Sequence, residues 1–283
     1  MPNIKITECP RDAMQGIKTF IPTREKIDYL NALLKVGFDI LDFGSFVSPK
    51  AIPQMKDTKD VVPQLNLDDT HTKLLAIVAN ERGAQEAASF NEISLLGYPF
   101  SISPTFLQKN INSTLVEAFK RAGSLNTICQ RNNKQLVTYI SMAFGNPYDD
   151  EWNEEFLLYW IKKLHQEGIS LISLADTVGL ASAKRISDCY YLCKLEFPNI
   201  EFGLHLHTTI DGVQGKLTAA YENGCRRFDS VLDGLGGCPM AGTDLVGNVN
   251  TYSLIEFLNE QKEVLSLDLD ALKKAQAKAP HYL

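Results

Sequence analysis

Short apolar runs rich in β-branched residues recur along the chain, and longer amphipathic stretches separate them. Each run has the length of a buried strand. The stretches between them repeat apolar residues three and four positions apart, as one face of a helix does. Strands that alternate with helices are typical of a parallel sheet. The predicted strands occupy residues 4–8, 38–43, 73–79, 92–97, 136–143, 169–175, 201–207 and 226–232.

Eight strands with helices between them predict an α/β fold, the (β/α)8 or TIM barrel. Such barrels take about 250 residues, and the chain has 283. We therefore predict one catalytic domain over residues 1–283, with the barrel at about 4–264 and a short C-terminal helical extension at about 266–279. Helical spacing is clearest over residues 24–36, 114–122, 153–166, 184–195 and 213–223.

Composition narrows the class of protein. Lysine and arginine total 28 against 34 acidic residues, which gives a net charge of −6 and argues against a nucleic-acid partner. No run approaches the roughly 18 apolar residues of a membrane span, and the first residues do not resemble a signal peptide. Six scattered cysteines lack the spacing of a zinc site. We expect a cytoplasmic protein with reduced thiols and no membrane partner.

Catalytic groups of a TIM barrel lie at the carboxyl ends of its strands and on the loops that follow. Polar side chains of several chemical types occur at or just after the predicted strand ends, so one rim of the barrel is expected to carry the chemistry. They are Arg11, Asp12, Asp42, Ser141, Asp176, His205, His207, Cys238 and Asn248.

The strongest local signal is the pair His205 and His207 at the end of a predicted strand. Residues two apart on a strand point to the same side, so both imidazoles can reach one ion. The alternative is a pair of core histidines. Oxygens of Asp12 and Asn248 would complete a mixed nitrogen and oxygen site, which favours a divalent metal, Mg²⁺ or Mn²⁺, over a thiolate-bound ion.

The first loop places Arg11 beside Asp12 directly after the first strand. A fixed guanidinium there could stabilise a developing enolate oxygen, and the alternative is an exposed ion pair. Adjacent side chains on extended backbone diverge, so we expect no direct contact between the two. Asp42, at the end of the second strand, would either hydrogen-bond Arg11 across the barrel mouth or cap the next helix.

The segment 234–239 carries three glycines in four positions, followed by Cys238 and a proline. Glycines allow a tightly turned or mobile loop, and its thiol could act as an acid over the barrel mouth. The alternative is an ordinary turn after the last strand, in which the cysteine has no role.

Taken together, these motifs resemble the 3-hydroxy-3-methylglutaryl-CoA lyases, metallolyases built on a barrel and marked by an Asp, Arg and Glu signature. The resemblance extends over about residues 4–251. It rests on the segments 10–12 with Gln15, 45–50 with 53–55, 110–112, 176–179, 205–207, 234–239 and 247–248.

The resemblance implies the roles of several residues. Metal ligands would be Asp12, His205, His207 and Asn248. Arg11 would stabilise the thioester enolate, Cys238 would protonate it, and Asp42 would hold Arg11. The general base is left between His205 and Asp12. We expect Arg11, Gln15, Ser141 and Thr177 to bind the substrate.

The implied reaction is cleavage of 3-hydroxy-3-methylglutaryl-CoA to acetyl-CoA and acetoacetate, as in leucine degradation, by a homodimer that needs a divalent cation. Alternatives are a condensing synthase or aldolase on the same barrel, and a barrel that binds a metal or acyl-CoA without catalysis. The chain departs from the family at Asp42, where glutamate is usual, and at Thr208 and Tyr252, where acids are usual. Lys50, Lys109 and Arg82 are basic candidates for the CoA phosphates.

Overall fold

The computed structural model describes residues 3–237 and 246–280, and these contain a closed barrel of eight parallel strands. Each strand pairs with the next along the chain, and the last pairs with the first. The α/β barrel predicted from the sequence is therefore confirmed. The strands are β1 (Lys5–Glu8), β2 (Ile40–Ser45), β3 (Lys73–Ile77), β4 (Ile93–Ser101), β5 (Gln135–Ser141), β6 (Leu171–Asp176), β7 (Glu201–Leu206) and β8 (Arg227–Ser230).

Helices connect the strands on the outside of the barrel. Short 3-10 helices occupy Pro53–Met55, Val62–Gln64 and Leu232–Gly234. The α-helices in the described residues are α1 (Pro10–Gln15), α2 (Thr23–Leu34), α3 (Thr58–Val61), α4 (Glu81–Ala88), α5 (Pro104–Ile111), α6 (Leu115–Arg131), α7 (Glu154–Gln166), α8 (Ala183–Glu196), α9 (Ile210–Glu222), α10 (Thr251–Glu260) and α11 (Leu269–Gln276).

All eight predicted strands are present, with shifted ends. The largest shift is in β4, which continues to Ser101 although the apolar run predicted an end at residue 97. Pro99 does not stop it, because pairing with β5 continues through Ser101 and Ser141. β7 ends at Leu206, one residue early, and His207 instead forms an isolated antiparallel bridge to Asn248.

Side-chain caps fix where several helices begin. Asn80, Ser103, Asn153 and Ser182 each accept a hydrogen bond from a backbone N–H of the first helical turn. Thr114 and Glu117 form a reciprocal capping box at the start of α6. Such caps satisfy N–H groups that have no partner within the helix, so these short polar residues set the first turns.

The core has two layers because strand residues alternate between the barrel interior and the surrounding helices. In β7, Phe202, Leu204 and Leu206 pack outward in the large core between barrel and helices. A separate apolar cluster fills one side of the barrel interior. It consists of Ile40, Leu75, Ile77, Leu95, Val137 and Tyr139.

The other side of the interior is polar and contains the buried Arg227. Its guanidinium donates to the Ser173 hydroxyl at 3.0 Å and to the Ile172 carbonyl at 3.2 Å, and its Nε lies 3.1 Å from Glu201 Oε1. Gly203 makes room for it, because a Cβ there would lie 2.6 Å from the Arg227 Cζ. The barrel therefore joins an apolar half to a charged half.

The end of the described chain returns to the start of the barrel. α11 packs against α2, and the Asp268 N–H donates to the Val36 carbonyl at 2.9 Å. Within residues 3–237 and 246–280, no helix has both the length and the apolar character needed to cross a bilayer. Five cysteines in this part of the chain are buried free thiols, among them Cys189 and Cys193 on α8.

Candidate active site

A cavity of about 220 Å³ opens at the carboxyl ends of the strands, where the sequence predicted the chemistry. It is bordered by side chains from seven of the eight strands or the loops after them. Most of the predicted site residues lie on its wall, namely Arg11, Asp12, Gln15, Ser141, Thr177, His205 and His207. Apolar side chains such as Ile77, Pro99 and Phe106 also line the cavity.

Asp12, His205 and His207 converge at one point of this cavity. One potential ligand atom from each lies within 4.8 Å of those from the other two. The sequence prediction that residues two apart at the end of β7 share a side is consistent with this geometry. Two imidazole nitrogens and a carboxylate oxygen form a donor set suited to a divalent cation.

The two histidines have opposite electrostatic surroundings. Burial, reinforced by the neighbouring His205, lowers the pKa of His207 to about 4, so this imidazole is neutral at neutral pH. Its buried Nδ1 has no hydrogen-bond partner among the described residues. A neutral ring with an unsatisfied nitrogen is suited to bind a cation.

His205 is backed by a carboxylate that the sequence reasoning missed. Its Nδ1 lies 3.2 Å from Asp229 Oδ2. Burial opposes protonation of His205, but the hydrogen bond and charge of Asp229 outweigh burial and raise the pKa of the ring. A carboxylate behind a metal-binding histidine fixes which nitrogen faces the metal. The strand pattern contained a signal: Asp229 is an acid inside an otherwise buried run, two residues after Arg227.

Asn248 also reaches the group. Its Nδ2 donates to Asp12 Oδ2 and to the Leu235 carbonyl, both at 2.8 Å. An amide presents its oxygen to a cation, so ligation by Asn248 requires its amide to turn. Burial alone would raise the pKa of Asp12, but Arg11, His205 and His207 outweigh it and lower that pKa. Asp12 is therefore held as an anion.

Arg11 is buried at the cavity wall and is held on both sides. Its Nε lies 3.2 Å from both oxygens of Asp42, and its Nη2 lies 2.5 Å from Asp42 Oδ2. Its Nη1 donates to Gln15 Oε1 at 2.8 Å. Although aspartate is one methylene shorter than the glutamate usual in the family, Asp42 contacts Arg11 directly. The structure therefore favours a hydrogen bond from Arg11 to Asp42 across the barrel mouth over a helix-cap role for Asp42. Burial raises the pKa of Asp42, and the Arg11 charge opposes that rise.

The expectation that Arg11 and Asp12 do not touch was wrong. Arg11 Nη1 lies 3.1 Å from Asp12 Oδ1. The reason is local backbone structure: Pro10 starts the six-residue helix α1, so the two side chains do not project from extended backbone. The picture of an exposed ion pair is also wrong, since only 9% and 8% of these side chains are exposed.

Asp176, the last residue of β6, and Thr177, the first residue after it, are both held by hydrogen bonds to neighbouring elements. The Thr177 hydroxyl accepts the Met142 N–H at 3.0 Å. Lys216, a second residue that sequence reasoning missed, donates to Asp176 Oδ2 at 2.8 Å and to the Gly179 carbonyl at 3.2 Å. Helical periodicity gives no sign that a lysine on α9 turns inward. Asp176 therefore supports the wall from beneath and does not line the cavity.

Cys238 lies outside the described residues, and so does most of the segment that follows it. The described glycines before it have left-handed backbone, with φ of +67° at Gly234 and +88° at Gly236. The loop is tied down at its base, where the Asn248 N–H donates to the Gly234 carbonyl at 3.0 Å. The glycines thus form a close turn directly against Asp12 and Asn248.

The three basic candidates for the CoA phosphates are exposed and do not border the active-site cavity. Arg82 borders a separate cavity of about 310 Å³ beside the loop after β2. Lys109 Nζ lies 4.2 Å from the centroid of the Tyr148 ring. The backbone N–H of Lys50 donates to the Ser48 hydroxyl at 3.3 Å.

Two of the residues that differ from the usual family sequence, Thr208 and Tyr252, lie away from the cavity and make local hydrogen bonds. Thr208 is buried and donates its hydroxyl to the Thr209 carbonyl at 3.1 Å. Tyr252, on α10, donates to Gln276 Oε1 of α11 at 3.1 Å. Neither side chain borders the cavity.

The fold and the site together define a barrel with a buried arginine next to a candidate divalent-cation centre. The HMGL-like family model matches residues 3–278. The chain therefore belongs to the HMGL-like family.

Named relatives agree with this assignment. The hydroxymethylglutaryl-CoA lyase of Bacillus subtilis is 31% identical over 268 residues, covering 94% of this chain and 88% of the relative. The mouse mitochondrial hydroxymethylglutaryl-CoA lyase is 32% identical over 265 residues, covering 90% of this chain and 78% of the relative.

Solved structures give the same result. An HMG-CoA lyase from Acinetobacter baumannii, in complex with coenzyme A and 3-methylmalate, superposes with a TM-score of 0.89 at 31% identity, covering 99% of this chain and 91% of that one. The Bacillus subtilis HMG-CoA lyase superposes with a TM-score of 0.90 at 29% identity, covering 98% and 93%. The N-terminal domain of a putative aldolase from Bacteroides vulgatus, 15% identical with a TM-score of 0.67, shares the fold alone.

Proposed function

We propose that this protein cleaves 3-hydroxy-3-methylglutaryl-CoA to acetyl-CoA and acetoacetate, using a bound divalent cation. The observation that carries the proposal is the convergence of Asp12, His205 and His207 within 4.8 Å at a cavity whose wall also holds Arg11. Membership of the HMGL-like family and the similarity to named HMG-CoA lyases support the same reaction.

The donor set fits the cation. Asp12, His205 and His207 would hold it, with Asn248 as a fourth ligand through its amide oxygen. Nitrogen and oxygen donors without a thiolate favour Mg²⁺ or Mn²⁺. When bound, such an ion supplies Lewis-acid chemistry, because it withdraws electron density from a hydroxyl oxygen and makes its proton easier to remove.

The reaction needs a base for the tertiary hydroxyl proton. While His205 binds the cation through Nε2 and donates from Nδ1 to Asp229, its ring has no lone pair for this proton. We therefore assign the role to the Asp12 carboxylate, which has several lone-pair sites and passes the proton on to solvent because its pKa is lowered. As the proton leaves, the bond from the carbinol carbon to the thioester α-carbon breaks, and the carbinol carbon becomes the ketone of acetoacetate.

The electron pair of the broken bond passes to the thioester, which leaves as an enolate. Arg11 faces the cavity as a fixed cation and would stabilise that oxygen. Asp42 holds the guanidinium in place through three contacts. Cys238 would then deliver its proton to the α-carbon, giving acetyl-CoA, and the thiolate would recover a proton from solvent.

Three further polar residues would orient the substrate. Gln15 bridges Arg11 and Asp12, because it accepts from the first at 2.8 Å and donates to the second at 2.7 Å. Ser141 and Thr177 lie on the wall formed by β5 and the loop after β6. Hydroxyls at that position can donate to a carboxylate of the acyl group.

We extend the proposal to a homodimer that works in the cytoplasm and takes part in leucine degradation. The family resemblance is the support for these three parts. Size measurement of the purified protein in solution tests the first, and localisation of the tagged protein tests the second. Growth on leucine after disruption of the gene tests the third.

The deciding experiment is incubation of the pure protein with MnCl₂ and the hydroxymethylglutaryl thioester, followed by assay of both products. Equal amounts of acetoacetate and acetyl-CoA are expected. A parallel incubation with acetyl-CoA and a 2-oxo acid tests the condensing alternative. Release of free CoA in that incubation would instead identify a condensing enzyme. Tight binding of the thioester with no product would identify a barrel that binds without catalysis.

A further inference from the structure

A second group of ligand atoms lies beneath the candidate cation centre. It consists of Cys9 Sγ, a ring nitrogen of His205 and a carboxylate oxygen of Asp229, all within 4.8 Å of one another. Cys9 is 1% exposed and Asp229 is 3% exposed. The group shares His205 with the Asp12 and His207 group above it. Because Nδ1 faces Asp229, we assign Nδ1 to the lower group and Nε2 to the group above it.

Two buried oxygens at this level have unmet hydrogen-bonding capacity. Asp229 Oδ1 and Thr7 Oγ1 have no hydrogen-bond partner among the described residues. Thr7 and Asp229 are direct partners in the pairing of β1 with β8. Leaving a buried polar group unpaired costs about 1–3 kcal/mol, so such a group indicates a bound ion or water. Asp229 contributes its unsatisfied carboxylate directly to the cluster.

We propose that Cys9, His205 and Asp229 form a second cation site, selective for a thiophilic divalent ion such as zinc. Thiolate, imidazole and carboxylate are the ligands of tetrahedral zinc sites, and a water can complete the coordination. Magnesium prefers oxygen ligands, so a thiolate selects against it. The site differs from the cation centre of the proposed function in its ligands and in the ion it takes.

The two centres exclude each other because they share one imidazole. A neutral imidazole carries a single proton. We call the ion held by Asp12 and His207 the upper ion. When His205 Nε2 binds the upper ion, the proton is on Nδ1 and is donated to Asp229. When Nδ1 binds a thiophilic ion, the proton moves to Nε2, which then has no lone pair for the upper ion. The Cys9 thiol meanwhile releases its proton to solvent as the metal–sulfur bond forms.

The consequence is antagonism between the two classes of cation. By thermodynamic linkage, any loss of affinity for manganese caused by zinc equals the loss of affinity for zinc caused by manganese. A thiophilic ion would therefore inhibit the lyase by disabling one ligand of its working centre. This consequence rests on the proposed function, whereas the existence of the lower site does not.

In the absence of metal, Cys9 is not a reactive thiol. Burial, together with the charges of Asp229 and Asp42, raises the pKa of Cys9 well above its usual value, and its Sγ lies 3.7 Å from the Thr7 carbonyl. A protonated buried thiol is a poor nucleophile. Metal binding is thus the chemistry that this position favours over alkylation or disulfide exchange.

The site can be tested without substrate by titrating the cation-free full-length protein with cadmium and recording the ultraviolet charge-transfer band of a cadmium–thiolate bond. Wild type is expected to show the band, saturating with a single cadmium per chain, and Cys9→Ala and the nearly isosteric Cys9→Ser are expected to lack it. Cys238→Ala is the matched control and should retain the band. A band that persists in both Cys9 variants, or that is absent from folded wild type, overturns the proposal.

The antagonism has its own test. Excess manganese should raise the cadmium concentration needed for half saturation in wild type, and independence of the two ions would overturn the shared-imidazole argument. In the lyase assay at fixed manganese, Cys9→Ser should raise the zinc concentration for half inhibition roughly 10-fold or more, because even loss of a group that only orients a ligand typically costs about 10–100-fold in metal affinity. Turnover of this variant with manganese alone should stay at the wild-type level. If no lyase activity exists, the cadmium band still decides the site.

Discussion

The Arg11 guanidinium is held by the Asp42 carboxylate, with Nε 3.2 Å from both oxygens and Nη2 2.5 Å from Oδ2. Asp42 is 1% exposed and Arg11 is 8% exposed, so the pair is shielded from water. Such a fork fixes the direction in which the remaining guanidinium N–H groups point. In the proposed function, Asp42 would therefore act on the substrate through Arg11.

Replacing Arg11 with methionine should lower kcat roughly 100-fold or more, because loss of a group that stabilises a developing oxyanion costs about 2.7–4 kcal/mol. The measurement is steady-state turnover of the thioester with saturating manganese. Arg24→Met is the matched control, since Arg24 is exposed and pairs with Asp28 on the same helix, α2. Turnover near the wild-type level in a folded Arg11→Met protein would exclude the proposed role.

Asp42→Asn should reduce both stability and activity. Removing one partner of a buried ion pair leaves the other uncompensated and typically costs about 3–5 kcal/mol. We expect a loss near the lower value, about 3 kcal/mol, because Asp12 and Gln15 still contact Arg11. Denaturant unfolding measures the loss. In a double-mutant cycle with Arg11→Met, additive effects on kcat would contradict a role that acts through Arg11.

Removal of divalent ions should abolish turnover, and MnCl₂ or MgCl₂ should restore it. His207→Ala should prevent this restoration, because its neutral ring is one of the three converging candidate ligands. Electron paramagnetic resonance of added Mn²⁺ measures binding without substrate. His165→Ala provides the comparison, since His165 lies on α7, outside the cavity. Equal manganese affinity of the two variants would rule out His207 as a ligand.

The raised pKa of the buried Glu8 carboxyl leads us to predict a specific pH dependence of stability. It is buried beneath the loop after β8, where it accepts the Leu232 N–H and the Thr251 hydroxyl, both at 2.6 Å. Burial raises its pKa from 4.5 to about 7. A raised acid pKa stabilises the fold fully below pH 4.5, and this contribution disappears as the pH rises through 7. The loss is about 3 kcal/mol by the usual conversion.

His207 makes stability depend on pH in the opposite direction to Glu8, over a similar pH range. Its lowered pKa gives stability that is present above pH 6.5 and is lost as the pH falls through 4. The informative quantity is therefore the difference in unfolding free energy between wild type and Glu8→Gln. Glutamine mimics the protonated acid, so the variant should gain about 3 kcal/mol relative to wild type between pH 4.5 and 7. A constant difference would contradict the burial effect.

Gly236→Ala should damage the cation site. The residue has φ of +88°, and a Cβ there would lie 2.9 Å from the Asp12 carbonyl oxygen and 3.0 Å from Asn248 Nδ2. Left-handed backbone costs a non-glycine residue about 1–3 kcal/mol, and the contact must also push Asp12 or Asn248 aside. We expect weaker manganese binding and slower turnover.

Gly224→Ala separates these two effects. Gly224 has φ of +85° but no atom within 4 Å of the added Cβ. This control should lose stability while keeping wild-type manganese affinity. If Gly236→Ala binds manganese as tightly as Gly224→Ala does, the glycine loop does not shape the cation site.

Much of the fold could be predicted from the sequence because strand and helix periodicity are local properties. The apolar alternation of β7, for example, predicted both the strand and the common side of His205 and His207. Element ends were less accurate. β4 extends past its apolar run because its neighbour β5 continues to pair with it, and such pairing is not visible in the segment itself.

Only part of the site could be predicted from the sequence, because some of its residues are recognised only by contacts with distant parts of the chain. The strand-end rule and the family resemblance identified Arg11, Asp12 and the two histidines. They did not identify Asp229 or Lys216, whose importance depends on what lies opposite them in the folded chain. The error about Arg11 and Asp12 came from treating the residues after β1 as extended, although Pro10 starts a helix there.

By itself, the sequence determined the βα repeat, the paired histidines on one side of a strand, and the family. The tertiary structure decided which distant groups meet, such as Asp12 with Asn248 and Arg11 with Asp42. The physical reason is that backbone preference and apolar periodicity act over neighbouring residues. Contacts across the barrel mouth instead depend on closure of the sheet, the register between strands and the turns that follow them.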